Sequence, residues 1–393
     1  MHTSDIFILS ARRTAIGTFG GALKDVPLCD LATVAVTAAL SSSQVDPERI
    51  GHVVMGNVIP TDPHDAYVAR VAAIRAGIPK ETPAFNVNRL CGSGLQAVIS
   101  AAHTVMLGDA EFAIGAGVES MSRGPYLLPA ARWGARMGNG LMQDYMLGVL
   151  HDPFQGMHMG ITAENSAERN GINRETQDAL AYADQQRAAH ALEHHFFDQQ
   201  IAPVEITTRK GSTLFSVDEH PRATTLEQLA SMRPAFKKDG TVTAGNASGL
   251  NDGAAALVLA SASTVTSGNL APLARLVAYA HAGVEPELMG LGPIPATQLA
   301  LKRAGLSIND MDVIEANIAF AAQACAVMQA LDMDPVKVNP NGSGIALGHP
   351  VGATGAIIAT KAIHELHRIQ GRYALATMCI GGGQGIAVIF ERV

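Results

Sequence analysis

The chain has 393 residues, 48% hydrophobic and 16% charged, with a formal net charge of −7. Such a chain can fill two to three domains' worth of core, which excludes disorder, and its acidic balance excludes a nucleic-acid binder that works through a broad basic face. A local patch of arginines can still meet a polyanionic ligand. Four cysteines (Cys29, Cys91, Cys325 and Cys379) lack Cys-x-x-Cys spacing, so no zinc site or disulfide framework is expected, and a reducing compartment fits. The start reads as a strand rather than a basic-then-apolar leader, and no apolar run reaches membrane-spanning length. A cytoplasmic location is therefore expected.

Apolar runs predict strands at 6–9, 53–58, 83–87 and 112–118, separated by helical periodicity at 28–40, 66–76 and 95–107. The pattern changes over 121–245. Residues 122–159 are rich in glycine, methionine and arginine without a period; a charged amphipathic helix follows at 174–197, then a short polar β-like piece at 214–217. A long insertion of this kind is usually a lid or a ligand-binding element. Alternation then resumes, with strands at 274–278, 313–315, 373–378 and 386–390 and helices at 296–304, 320–331 and 352–367. Strand–helix alternation implies crossover connections and a sheet covered on both faces. The two ends also echo each other: Asn88 with Gly92-Ser93-Gly94 and Asn339 with Gly342-Ser343-Gly344 each precede a helix and then a strand. A duplicated fold would place Cys91 and His349 at corresponding helix starts, facing one cleft.

Cys91 lies where a strand turns into a helix. There the free N–H groups and the positive end of the helix dipole are expected to lower a thiol pKa, and small neighbours admit a substrate. His349, in Gly348-His349-Pro350, has a side chain whose ordinary pKa suits proton transfer from that thiol. Cys379 ends a strand-like run and opens Cys379-Ile380-Gly381-Gly382-Gly383, whose exposed N–H groups can hold an oxyanion. Each feature alone fits an inert core thiol, a loop histidine or a turn. The combination is what points to chemistry.

These segments resemble the thiolase family. The likeness runs from Ser10-Ala11-Arg12-Arg13-Thr14-Ala15-Ile16-Gly17 to Cys379-Ile380-Gly381-Gly382-Gly383-Gln384-Gly385, through 88–94, His158-Met159-Gly160, 243–253 and Gly348-His349-Pro350. It is most similar to short-chain β-ketothiolases and acetyl-CoA acetyltransferases. The resemblance implies an α/β fold of two similar βαβαβαββ halves in an α/β/α/β/α core with an inserted loop domain. The expected division is an N-terminal half at 1–120, completed by about 246–270, a loop domain at 121–245 and a C-terminal half at 271–393. It further implies condensation of two acyl-CoA molecules, or the reverse cleavage with CoA, through an acyl-Cys91 intermediate. His349 would activate Cys91, Cys379 would act at the α-carbon, and the N–H groups of Cys91 and Gly381 would form one oxyanion hole. His349 and a water held by Asn317 would form the other. For coenzyme A the resemblance carries over Leu150, His158, Met159, Arg222, Ala235, Phe236, Ala244, Ser248, Gly249, Leu250, Met289, Ala319 and Phe320. It implies no tightly bound cofactor, no metal, no nucleic-acid or membrane partner, and a homotetramer built from dimers.

One departure touches the site. Where family members usually read Asn-Glu-Ala-Phe, this chain reads Asn317-Ile318-Ala319-Phe320. A carboxylate there would fix a loop by accepting hydrogen bonds, so a slowed enzyme is expected, with turnover restored by Ile318→Glu. Rival readings are a ketoacyl synthase of the same superfamily, disfavoured by Cys379 and its glycines, and a catalytically silent CoA-binding subunit. A nicotinamide fingerprint fails because Gly342-Ser343-Gly344 lacks the third glycine and the downstream acid. His364-Glu365-Leu366-His367 is not metalloprotease spacing.

Overall fold

Residues with apolar side chains on both faces make the central strands. The computed structural model describes residues 5–209 and 211–393. Its first segment contains β1 (Ile6–Thr14), α1 (Leu28–Ser43), β2 (Ile50–Gly56), α2 (Val68–Arg75), β3 (Ala84–Val87), α3 (Ser93–Met106) and β4 (Phe112–Ser120). The inserted segment supplies α4 (Met159–Asn170) and α5 (Arg174–Glu193). The chain then returns through β5 (Asn251–Ser261), β6 (Ala274–Gly283), α6 (Pro293–Ala304), β7 (Val313–Ala316), α7 (Ala321–Ala330), α8 (Val351–Ile369), β8 (Tyr373–Ile380) and β9 (Gln384–Arg392).

The strands run in the order β7-β8-β9-β6-β1-β5-β4-β2-β3. This sequence contains one arrangement twice. In the first half the order is β3-β2-β4-β5-β1; in the second, an isolated bridge between Ile314 and Val338 stands where β3 would be, followed by β7-β8-β9-β6. The halves meet where Ile6, Phe7 and Ile8 of β1 pair antiparallel with Leu276, Arg275 and Ala274 of β6.

Alternation along the strands creates the layers. Ala254, Ala256, Val258 and Ala260 of β5 and Ile114, Ala116 and Val118 of β4 face α1 and α2, which contribute Leu31, Ala35 and Ala69. Ala255, Leu257 and Leu259 face the opposite way, toward Leu95 and Val98 of α3 and Ile357, Ile358 and Ile363 of α8. Ile386, Val388 and Phe390 of β9 close that middle layer from the other half, and Ala387 and Ile389 face Ala296 and Ala300 of α6. α3 and α8 approach closely because glycine faces backbone: a Cβ on Gly355 would lie 2.2 Å from the Leu95 nitrogen, and one on Gly94 would lie 2.5 Å from the Ala356 nitrogen.

Several expectations shift. The helix expected over 174–197 ends at Glu193, and that over 66–76 begins as a 3₁₀ turn, Pro63–Tyr67, before α2. Gly342-Ser343-Gly344 opens a separate one-turn helix, Gly344–Leu347, while the long helix expected at 352–367 runs over Val351–Ile369. The β piece near 214–217 is the hairpin of Val204–Thr208 with Gly211–Phe215. The aperiodic stretch is an arm of short turns that exposes Tyr126, Leu128, Trp133, Met137 and Leu141, with Trp133 84% exposed. Among the described residues no helix is long and apolar enough to cross a membrane.

Candidate active site

The strand-to-helix connection at Cys91 is a strained elbow. Leu90 has φ 46°, a left-handed value uncommon for a side-chain-bearing residue, and local hydrogen bonds hold it there. The Leu90 N–H donates to Asn88 Oδ1 at 2.9 Å, the Arg89 N–H to Ser93 Oγ at 2.9 Å, and Ser93 Oγ to the Leu90 carbonyl at 2.7 Å. Cys91 thereby stands two residues before α3, and His349 stands two residues before α8. Both open onto the same cavity of about 370 Å³.

His349 is 5% exposed, and its proton is placed by its neighbours. Thr354 Oγ1 donates to the Pro350 carbonyl at 2.9 Å and lies 2.6 Å from His349 Nδ1, so Nδ1–H donates to the threonine. That tautomer leaves Nε2 unprotonated as a base. Burial pulls the imidazole down to about 4, so it is neutral at working pH. The His349 N–H donates to Asn251 Oδ1 at 2.9 Å. Asn317 does not line the cavity. Its amide nitrogen lies 3.5 and 3.4 Å from the two ring nitrogens of His349, and its buried Oδ1 has no partner among the described residues, which suits an ordered water.

Cys379 is the penultimate residue of β8, and the turn that follows Ile380 folds over Cys91. A Cβ on Gly92 would lie 2.5 Å from Ile380, and one on Gly381 would lie 3.2 Å from Met159 and 3.4 Å from Leu90. The expectation of a depressed Cys91 pKa is overturned in the resting protein. Burial pushes the Cys91 thiol up, outweighing the N–H groups of Gly381 and of Cys91 itself, which pull it down; the Glu119 charge adds to the rise. The helix N-terminus is present, but desolvation outweighs it. Burial, and then the charge of Cys91, push Cys379 up as well. At rest the site therefore holds two neutral thiols and a neutral imidazole.

All thirteen residues expected to contact coenzyme A line this cavity with Cys91, His349, Cys379 and Gly381. Leu150, Leu250, Met159, Met289, Ala319 and Phe320 form apolar wall. His158 caps α4, its Nδ1 accepting from the Gly160 N–H at 3.0 Å, and stacks on Phe236 with ring centroids 4.7 Å apart. Elsewhere in the lining, Arg222 Nη2 donates to the Ala244 carbonyl at 3.1 Å, the Ser248 N–H donates to the Ala319 carbonyl at 2.9 Å, and Ala235 and Gly249 complete the wall.

Sequence reasoning missed His220, which also lines the cavity, and Glu119, whose buried carboxylate accepts from Asn57 Nδ2 and from the N–H groups of Val58, Ile59 and Gly352 at 2.8–3.2 Å. Only the run Asp218-Glu219-His220-Pro221-Arg222 could have drawn attention to His220; for Glu119 no sequence signal existed. Ile318 is 1% exposed and packs with Ala181, Leu229, Ala321, Ala324 and Ile345, away from the cavity.

Two family models cover the chain, the thiolase N-terminal domain over residues 6–263 and the thiolase C-terminal domain over 270–392. The chain belongs to the thiolase family. It is 59% identical over 393 residues, 100% of each chain, to the β-ketothiolase BktB of Cupriavidus necator. The crystal structure of human mitochondrial 3-ketoacyl-CoA thiolase in complex with CoA superimposes with a TM-score of 0.96 at 46% identity, covering 99% of this chain and 98% of that one. The acetyl-CoA acetyltransferase of Bacillus anthracis does so with a TM-score of 0.97 at 46% identity, covering 99% of each.

Proposed function

We infer that this chain is an acyl-CoA:acetyl-CoA C-acyltransferase of the β-ketothiolase type, which cleaves 3-ketoacyl-CoA with CoA and catalyses the reverse condensation. The convergence of Cys91, His349, Cys379 and Gly381 on one cavity walled by the coenzyme residues carries the reading. In cleavage, His349 Nε2 takes the Cys91 proton and the thiolate attacks the 3-keto carbon. The N–H groups of one oxyanion hole (those of Cys91 and Gly381) or the pair of His349 and an Asn317-held water stabilise each developing oxyanion. The bond between C2 and C3 breaks, and the Cys379 thiol protonates C2 to release acetyl-CoA. Free CoA gives its thiol proton to the Cys379 thiolate and attacks acyl-Cys91, which departs as a thiolate and recovers its proton from His349. Condensation runs the same steps backward, with Cys379 thiolate removing a proton from C2. Desolvated thiols suit this order, since they rest neutral and ionise only as substrate charge develops.

Coenzyme A enters as substrate, a reading supported by the CoA complex of the human relative, and we place its pantetheine along the apolar wall and its nucleotide end toward Arg222. We read the chain as two halves and an inserted coenzyme-binding part with the boundaries expected above, acting in the cytoplasm. The apolar arm at 126–142 supports assembly of copies into a tetramer.

The decisive measurement is mass spectrometry after incubation with acetyl-CoA. An acetyl group is expected on the peptide that contains Cys91. An active enzyme with unlabelled Cys91 would overturn the covalent mechanism. Binding of CoA without any acetoacetyl-CoA cleavage would instead identify a silent subunit.

A further inference from the structure

The segment that carries His349, residues 343–349, has few contacts of its own making. It forms one helical turn, Gly344–Leu347, and then breaks at Gly348, where φ is 103°. Its conformation is imposed by groups from elsewhere in the chain. Foremost is Asp184 on α5, 1% exposed, whose Oδ1 accepts from the Ser343 N–H at 2.8 Å and whose Oδ2 accepts from the Ala346 N–H at 2.8 Å. Its neighbour Gln185 donates from Nε2 to the Ile345 carbonyl at 3.3 Å and accepts from the Arg222 N–H at 3.0 Å. Asn251 Nδ2 lies 3.2 Å from His220 Nδ1, while Asn251 Oδ1 takes the His349 N–H.

The same segment sets Asn317. The Ile318 N–H donates to Ser343 Oγ at 3.3 Å, Ser343 Oγ contacts the Ala316 carbonyl at 3.3 Å, and a Cβ on Gly344 would lie 3.0 Å from Asn317 Oδ1. Ser343 is thus gripped on one side by Asp184 and on the other steadies the turn that holds Asn317.

We propose that Asp184 is a positioning residue of the acyl-transfer reaction: its carboxylate, supplied by a helix of the inserted segment, fixes the 343–349 loop and thereby aims both His349 and Asn317. The inference rests on the functional reading above and adds to it a residue outside the cavity. It also accounts for Ile318. The family pattern carries a carboxylate at 318; in this chain the loop N–H groups beside that position are met from α5, and Ile318 packs on Ala181 of the same helix. Burial raises the Asp184 carboxyl to about 6, so at neutral pH it is ionised and can accept from both N–H groups. Because Gln185 also holds Arg222, coenzyme contact and histidine placement share one helix.

The test is Asp184→Asn in the full-length enzyme. An amide offers one acceptor and turns N–H groups toward a former partner, so one loop hydrogen bond is lost with little change in shape. Misplacement of the catalytic base should lower kcat and the rate of Cys91 acetylation ~10–100-fold. KM for CoA should change less than about threefold. Alkylation of Cys91 by iodoacetamide, which needs no turnover, should slow in Asp184→Asn, and in a His349→Ala background the same substitution should slow it no further. An equal slowing in both backgrounds, or a kcat that Asp184→Asn leaves unchanged, overturns the proposal. If Asp184→Asn does not fold, Asp184→Glu decides: slowed alkylation with reduced kcat supports positioning, and unaltered kcat refutes it. Failure of the wild-type protein to transfer acetyl would instead refute the functional reading, and the alkylation cycle would still report on the loop.

Discussion

Thr354 determines what His349 can do. Because the threonine hydroxyl gives its hydrogen to Pro350, the imidazole must donate through Nδ1 and keep Nε2 free. Thr354→Val should therefore remove the tautomer's anchor and slow Cys91 acetylation while the fold persists, which stopped-flow acetyl transfer with circular dichroism as the folding check would register. Cys379 plays its part at the carbon acid alone. Cys379→Ala is expected to accept acetyl on Cys91 at near-normal rate and to lose ~10²–10⁴-fold in condensation; retained condensation would remove its acid/base role. At 318 the initial expectation reverses. The side chain lies among Ala181, Leu229, Ala321, Ala324 and Ile345, so Ile318→Glu would bury a charge near Asp184, in an apolar pocket. We expect a lower melting temperature and no gain in turnover, with the damage smaller when Asp184→Ala is also present, measured as a double-mutant cycle in thermal unfolding.

The two halves lean on one another through α3 and α8, and their contact has no room for a methyl group. Gly355→Ala would set a Cβ 2.2 Å from the Leu95 nitrogen, backbone against side chain, so a loss of about 1–3 kcal/mol or more is expected in denaturant unfolding. Gly148→Ala, with nothing within 4 Å, is the matched control and should be close to neutral. Much of this framework was legible beforehand, because α1, α3 and α8 have regular apolar periods and β8 and β9 are strong β-formers. β5 escaped notice for a physical reason. Asn251–Ser261 opens with Asn-Asp-Gly-Ala-Ala-Ala and is buried on both faces, so it shows no alternation and only one β-branched residue, Val258, to declare it. The site was legible in its thiols, histidine and glycines, which must sit at strand ends and helix starts. The elevated Cys91 pKa was not legible, since burial depends on what folds over the elbow, and neither were Asp184 and Glu119, whose partners lie far away in the chain.

Over the whole molecule, four partly or fully buried histidines weigh against acid tolerance. His220, His281, His349 and His364 are each pulled down from 6.5 to about 4, with burial the first cause. In the unfolded chain they take protons near pH 6.5, while the folded chain resists until about 4. Their contribution to stability is therefore complete above pH 6.5 and is lost progressively as the pH falls from there toward 4. Calorimetry should find that the melting temperature of the wild type falls more between about pH 6.5 and pH 5 than that of His364→Gln, which lacks one such group; an identical pH dependence would refute the assignment of His364 as neutral.

The arm at 126–142 carries the single tryptophan of the chain, Trp133, 84% exposed in one copy. An indole in water emits at long wavelength, and one covered by a neighbouring copy emits at shorter wavelength. Under the assembly proposed above, Trp133 becomes an optical gauge of self-association, unconfused by other indoles. Dilution should shift its emission to the red as copies separate, with a midpoint that gives the dissociation constant. Emission unchanged over the range in which sedimentation detects dissociation would place the arm outside the contact.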